Sequence, residues 1–145
     1  MDNEKFAQVW QRVQAPAEPA QGMPELIARE KEDAVIYLHL SRVLRGRDSI
    51  LLRQMFEQEQ AHAACLKGIY RLSNDALPEI RIPNIPKESP EILLRRCYGR
   101  EMRCLAAYEA RAAHPEYGPV FFRMARQEQE HCRNILEILG RLQRT

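Results

Sequence analysis

The sequence predicts an all-α protein, a bundle of four long helices preceded by a short N-terminal helix. Apolar residues recur at helical spacing in four segments, and prolines and glycines separate these segments. Sustained alternation of apolar and polar residues, the pattern of a half-buried strand, is missing. The chain has 145 residues, which is enough for one domain with its own core.

Residues 1–22 are expected to form a separate N-terminal piece. The stretch FAQVWQRV is amphipathic, and QAPAEPAQG follows it as a linker. The apolar stripe of this helix would consist of Phe6, Val9, Trp10 and Val13. We expect the helix to pack on the bundle or on a partner chain, and residues 23–145 to form the bundle itself.

Boundary signals define the first two helices of the bundle. Pro24 is suited to the first turn of a helix, and Gly46 is expected to end that helix. Asp48 or Ser49 can then cap the second helix, which should continue to about Leu72.

The last two helices have similar signals. Ser89 followed by Pro90 predicts the start of the third helix, with the serine as N-cap. Pro115 is expected to break this helix. The fourth helix should follow Pro119 and end near Gly140.

Charge and hydropathy narrow the functional classes. The net charge is +2, and the 22 Lys and Arg residues are scattered rather than clustered. Binding to nucleic acid or to a membrane surface is therefore not expected. No apolar run is long enough to span a bilayer, and the N-terminus does not resemble a signal peptide. We expect a cytoplasmic protein.

Four cysteines are present, and none forms a CxxC pair. The motifs of zinc ribbons, rubredoxin-type iron sites and thioredoxins are therefore missing. In a reducing cytosol the cysteines should be free thiols.

The second and fourth helices carry the same stripe of inward-facing residues. Steps of three, four, three, four and three separate the residues in both, which is the spacing of a bundle core. Each position of the second stripe lies 69 residues after its counterpart, as Glu128 follows Glu59. The two stripes are Leu52, Met55, Glu59, His62, Leu66 and Ile69, and Phe121, Met124, Glu128, His131, Ile135 and Ile138.

The first and third helices repeat a second pattern. Glu30 precedes Tyr37 by seven residues, and Glu101 precedes Tyr108 by seven. The order along the chain is therefore Glu, Glu-x-x-His, Glu, Glu-x-x-His, which indicates one helical hairpin that is repeated.

Carboxylates at core positions predict a metal site. Burying four of them is costly unless each is protonated, paired or bound to metal, and basic residues are lacking on these stripes. Two divalent cations would satisfy them, and this ligand set is typical of di-iron and di-manganese bundles. The predicted ligands are Glu30, Glu59, His62, Glu101, Glu128 and His131.

Within this site Glu59 and Glu128 are expected to bridge the two metals. Glu30 with His62, and Glu101 with His131, would be more terminal ligands, and the metal that each histidine binds stays open. Iron is expected, and manganese or a mixed pair would use nearly the same ligands.

The link between the second and third helices fits this arrangement. If a two-fold axis relates the halves, these two helices run parallel and the link crosses the whole bundle. A helix of about 27 residues is roughly 40 Å long, and residues 73–88 can span about 53 Å when extended. One long crossover of this kind is the ferritin-like topology.

The sequence resembles the rubrerythrin branch of the ferritin-like superfamily. The resemblance covers residues 24–142 and rests on EKEDAVIY (30–37), EQEQAH (57–62), EMRCLAAY (101–108) and RQEQEH (126–131). It implies a carboxylate-bridged di-iron site that reduces hydrogen peroxide or dioxygen. It also implies that Tyr37 and Tyr108 donate hydrogen bonds to ligand carboxylates.

The sequence departs from that family in two respects. It has no rubredoxin-like motif, so we expect an external electron donor. Cys104 stands where rubrerythrins have a further carboxylate, one turn after the glutamate of the third helix. We also expect a homodimer.

Several residues near the predicted ligands have two interpretations. Cys97 and Cys104 flank Glu101 and are either metal-linked thiols or small buried hydrophobes, and we favour the second interpretation. Glu32 is the rival of Glu30 as a ligand, and Asp33 is a further carboxylate near the site.

Two other functions remain open. One is iron oxidation and storage, which needs a hollow shell. The other is a non-catalytic helical module that binds a partner protein and holds no stoichiometric metal.

Overall fold

The computed structural model describes residues 22–74, 76–77 and 79–144, and within them it contains four α-helices and no strand. The helices are α1 (Met23–Val43), α2 (Gly46–Ser73), α3 (Pro90–Arg111) and α4 (Gly118–Leu142). The predicted all-α bundle of four long helices is confirmed. None of these helices is both long and apolar enough to cross a membrane. The predicted N-terminal helix belongs to residues outside the described part.

α2 begins earlier than its sequence signals suggest. Its first residue is Gly46, which has a φ of 65°, and no side chain caps the helix. Asp48 instead accepts a hydrogen bond from Arg141 Nε at 2.6 Å. The Ser49 hydroxyl donates to the carbonyl of Ser41 at 2.5 Å. The prediction that Asp48 or Ser49 caps α2 is therefore wrong, because both side chains bind other helices.

The boundaries of α3 and α4 follow the predictions more closely. The Ser89 hydroxyl oxygen accepts from the backbone N–H of Ile92 at 3.4 Å, so the predicted cap is confirmed. α3 ends at Arg111, and a tight turn over residues 112–117 leads into α4. A Cβ atom on Gly118 would lie 2.3 Å from the carbonyl oxygen of Ala112, so only glycine fits this turn.

The four helices pack as two hairpins. α1 lies along α2 and α3 lies along α4, and the hairpins meet where α1 faces α3 and α2 faces α4. The backbones of α1 and α4, and those of α2 and α3, do not come close to each other, so these two pairs lie across the diagonals and meet only through side chains in the core.

The core consists of two apolar clusters. The first joins the N-terminal parts of α1 and α4 to the C-terminal parts of α2 and α3, with Met23, Leu26, Ile27, Leu66, Ile69, Cys104, Tyr108, Phe121, Met124 and Ala125. The second joins the opposite parts, with Ile36, Tyr37, Leu40, Leu52, Met55, Leu93, Leu94, Cys97, Ile135 and Ile138. On every helix a stretch with buried charged residues separates the two clusters.

Candidate metal centre

Each helix carries one glutamate whose side chain is wholly buried, and α2 and α4 add one buried histidine each. These residues are Glu30, Glu59, His62, Glu101, Glu128 and His131. Apolar neighbours on the same stripes explain their burial. Leu52, Met55, Leu66 and Ile69 of α2 must face the core, and the helical period then turns Glu59 and His62 inward with them.

The six side chains form two overlapping groups of potential metal ligands. Glu30 and His62 belong to one group, and Glu101 and His131 belong to the other. Glu59 and Glu128 belong to both groups. Within each group one ligand atom from every residue lies within 4.8 Å of all the others. All six predicted ligands are thus brought together at one place between the apolar clusters.

Each histidine directs its Nδ1 atom toward the carboxylates. His62 Nδ1 lies 2.7 Å from Glu128 Oε1 and 3.4 Å from Glu30 Oε2. His131 Nδ1 lies 2.6 Å from an oxygen of Glu59 and 3.5 Å from an oxygen of Glu101. For both rings the shortest contact of Nδ1 joins the two hairpins. His62 of α2 contacts Glu128 of α4, and His131 of α4 contacts Glu59 of α2.

Many buried oxygen and nitrogen atoms of this cluster could make hydrogen bonds that the described residues do not provide. Among the described residues, several of its buried atoms have no hydrogen-bond partner, although His131 Nδ1 is close to a carboxylate. They are Glu30 Oε2, both carboxylate oxygens of Glu59, Glu101 Oε2, Glu128 Oε2 and His131 Nδ1. Buried polar atoms without partners are costly. A divalent cation among them would remove that cost, so the residues fit a metal ion.

Burial also changes the protonation of the cluster. It raises the pKa of Glu30 from 4.5 to about 7, against the opposing effects of His62 and Tyr108. Burial lowers the pKa of His62, but the nearby carboxylate of Glu30 more than reverses this, so the pKa is raised overall. Without a cation Glu30 therefore holds a proton well above its usual range.

Two buried tyrosines support the carboxylates from the opposite hairpin. The Tyr37 hydroxyl donates to Glu101 Oε1 at 2.7 Å, and the Tyr108 hydroxyl donates to Glu30 Oε1 at 2.5 Å. Burial is the main cause that raises the pKa of both tyrosines, so both stay protonated and act as donors. These are the contacts that the resemblance implied for the two tyrosines.

Two glutamines contact the histidines on the other side. Gln127 Oε1 accepts from His62 Nε2, and Gln58 Oε1 lies 2.5 Å from His131 Nε2. The sequence reasoning did not identify these glutamines. A signal was present, however, because they are separated by the same 69 residues as the Glu-x-x-His pairs.

The buried Asp33 and the half-buried Arg100 form an ion pair beside the cluster. Arg100 Nε donates to Asp33 Oδ1 at 2.6 Å, and a second nitrogen of Arg100 lies 3.8 Å from Glu32. Burial and the charge of Glu101 raise the pKa of Asp33 to about 7, although Arg100 opposes them. Neither Asp33 nor Glu32 belongs to a ligand group, whereas Glu30 does.

The cysteines lie outside both ligand groups. Cys97 and Cys104 are buried, and burial is the main cause that raises the pKa of both thiols. Arg100 donates to Cys97 Sγ at 3.5 Å. Protonated, buried thiols favour the interpretation of these residues as small hydrophobes. All four cysteines of the chain are described and unbridged.

Comparison with known proteins does not assign the chain to a family. The chain matches no protein-family model, and neither the curated proteins nor the solved structures give a significant match.

Proposed function

We propose that this chain is a di-iron carboxylate protein of the rubrerythrin type. It would reduce hydrogen peroxide or dioxygen with electrons from an external donor. The observation that carries this proposal is that two groups of four ligands share Glu59 and Glu128. Carboxylates common to two sites could serve as ligands of two cations at once.

The six proposed ligands divide evenly between two irons. Glu30 and His62 would hold one iron, Glu101 and His131 would hold the other, and Glu59 would bridge both together with Glu128. A glutamate from each of two helices and a Glu-x-x-His pair from each of two others is the ligand pattern of di-iron and di-manganese bundles. Manganese or a mixed pair would use the same atoms.

The chain's own residues would prepare the site for this chemistry. A bound ferrous pair would supply two electrons to the oxidant. Tyr37 and Tyr108 hold Glu101 and Glu30 in place by hydrogen bonds, while the apolar clusters on both sides exclude water. Because the pKa of Glu30 is about 7, this carboxyl group would release its proton when metal binds. Metal loading is therefore expected to improve as the pH rises through 7.

The proposal includes the ferritin-like topology with its long crossover. Its support is the composition of the two apolar clusters. The C-terminal part of α2 belongs to one cluster, and the N-terminal part of α3 belongs to the other. The described residues that connect α2 to α3 would therefore lead along the bundle from one end to the other.

Metal content is the direct test of this proposal. The parent protein is loaded with ferrous ion under anaerobic conditions and desalted, and its iron is measured by elemental analysis. We expect nearly two irons per chain, and a large loss in Glu59→Ala and Glu128→Ala. The controls are Glu57→Ala and Glu130→Ala, which change exposed glutamates on the same helices.

Two outcomes would contradict the proposal. Equal iron in all five proteins would show that the buried carboxylates do not bind it. Two irons per chain without consumption of peroxide or dioxygen, in the presence of a chemical reductant, would remove the enzymatic part. Sedimentation then separates the remaining functions, since iron storage needs a hollow shell and the proposed enzyme is expected to be a homodimer.

A further inference from the structure

The two ring nitrogens of each buried histidine have different surroundings. Nδ1 of His62 faces carboxylate oxygens, whereas its Nε2 contacts the amide oxygen of Gln127. Nδ1 of His131 likewise faces carboxylates, and its Nε2 lies 2.5 Å from the amide oxygen of Gln58. The arrangement is therefore the same at both rings.

The glutamines occupy equivalent positions in the two hairpins. Each one directly precedes a proposed bridging glutamate, since Gln58 precedes Glu59 and Gln127 precedes Glu128. Each also contacts the histidine of the opposite hairpin. The helical turn that brings a bridging carboxylate to the metal centre thus also brings an amide oxygen to the far side of the facing imidazole.

We propose that Gln58 and Gln127 are positioning residues that determine which nitrogen of each histidine binds metal. This inference rests on the proposed metal function. A neutral imidazole has one N–H group and one lone pair. An amide oxygen beside Nε2 favours the form with its hydrogen on Nε2, which leaves the Nδ1 lone pair directed at the carboxylate cluster.

This role requires that the amide oxygen, and not the amide NH₂ group, faces the histidine ring. If the amide NH₂ group faced the ring instead, Nε2 would have to accept the hydrogen bond. The hydrogen would then lie on Nδ1, between the ring and the carboxylates, and that histidine could not bind metal there. Gln58 and Gln127 therefore act through the histidines and contact no metal themselves.

Zinc affinity tests the proposal without measuring catalysis. The full chain is titrated with zinc against a competing chelator. Gln127→Leu is expected to weaken one of the two sites about 10–100-fold, and Gln58→Leu the other, as is usual when the partner of a ligand histidine is lost. Gln127→Glu and Gln58→Glu keep an acceptor oxygen and should retain the affinity of the parent.

The controls are Gln60→Leu and Gln129→Leu. These glutamines lie two residues further along the same helices and are exposed, so their loss should leave zinc affinity unchanged. Thermal unfolding of each metal-free variant shows whether the fold is intact. A variant that does not fold is replaced by the matching methionine variant, which also lacks an amide oxygen.

The imidazole nitrogens can also be observed directly. In zinc-loaded, ¹⁵N-labelled parent protein, long-range proton–nitrogen spectra should show both rings with metal on Nδ1 and hydrogen on Nε2. The Gln127→Leu variant should lose this pattern at His62 alone, whereas the Gln127→Glu variant should keep it at both rings. A purely structural role would not change the nitrogen pattern of one ring selectively.

The outcomes separate this inference from the proposed function. If the parent binds two zinc ions and the leucine variants bind them equally well through Nδ1, the role of the glutamines is refuted and the metal centre stands. If the glutamate variants lose as much affinity as the leucine variants, the acceptor argument is also refuted. If the parent binds neither zinc nor iron, both proposals fail together.

Discussion

Replacing Glu30 with glutamine is expected to stabilise the metal-free protein at alkaline pH. Glu30 is fully buried, and burial raises the pKa of its carboxyl group to about 7 in the folded chain, from an ordinary value of 4.5. The folded state therefore holds this proton more tightly than the unfolded state. The stability that this contributes is complete below pH 4.5 and is lost as the pH rises through 7.

The size of the effect follows from the two pKa values. They differ by about two and a half pH units, and each unit corresponds to about 1.4 kcal/mol. The parent should thus lose about 3 kcal/mol of stability between pH 4.5 and pH 8 through Glu30. Glutamine does not ionise and can still accept the hydrogen bond from Tyr108. At pH 8 the melting temperature of metal-free Glu30→Gln should exceed that of the parent by roughly 10 °C.

The assay is thermal and urea unfolding of chelator-treated parent and variant between pH 5 and pH 8.5. Glu57→Gln serves as the control, because Glu57 is an exposed residue of α2. With saturating metal the order should reverse, since the variant lacks one of the proposed ligands. The reasoning is refuted if the difference between Glu30→Gln and the parent does not grow with pH, or if Glu57→Gln shows the same growth.

Three further predictions follow from individual contacts. Tyr108→Phe removes the hydrogen bond to Glu30 and should lower the free energy of unfolding by about 1–3 kcal/mol, measured by urea unfolding. Arg100→Met leaves the buried Asp33 without its partner and should cost about 1–3 kcal/mol, since this carboxyl, with a pKa already about 7, can take up a proton; adding Asp33→Asn should recover part of this loss. Gly118→Ala should cost more than about 1 kcal/mol, because its Cβ would collide with a backbone carbonyl, as thermal unfolding would show.

Each of these predictions has an opposing outcome. Unchanged stability in Tyr108→Phe would mean that water replaces the lost donor. If Asp33→Asn does not rescue Arg100→Met, the arginine stabilises the bundle through packing rather than charge. A melting temperature of Gly118→Ala equal to that of the parent would show that the turn at residues 112–117 can shift to make room.

Most of the fold and the central site could be predicted from helical periodicity. A seam of apolar residues at steps of three and four determines which side chains face the core. Glu59 and His62 lie on such a seam, as do Glu128 and His131, so their burial follows from the residues around them. The Ser89 cap followed in the same way, because capping depends only on neighbours in the chain.

Contacts between helices could not be read in this way. Periodicity shows which face of a helix turns inward, but not which residue of another helix lies opposite. Asp33 finds Arg100 because α1 packs against α3, and Asp48 binds Arg141 instead of capping α2 because α4 ends beside that turn. The spacing of residues along the sequence indicates neither the Asp33–Arg100 contact nor the Asp48–Arg141 contact.

The repeated Glu and Glu-x-x-His pattern is a local property, and helical spacing was enough to place the six proposed ligand side chains on inward faces. The partners of those ligands depend on tertiary packing. Gln58 and Gln127 lie beside the histidines only because antiparallel packing of α2 against α4 sets the register between the two helices. A side chain's direction is local, but its hydrogen-bond partner is decided when separate helices meet.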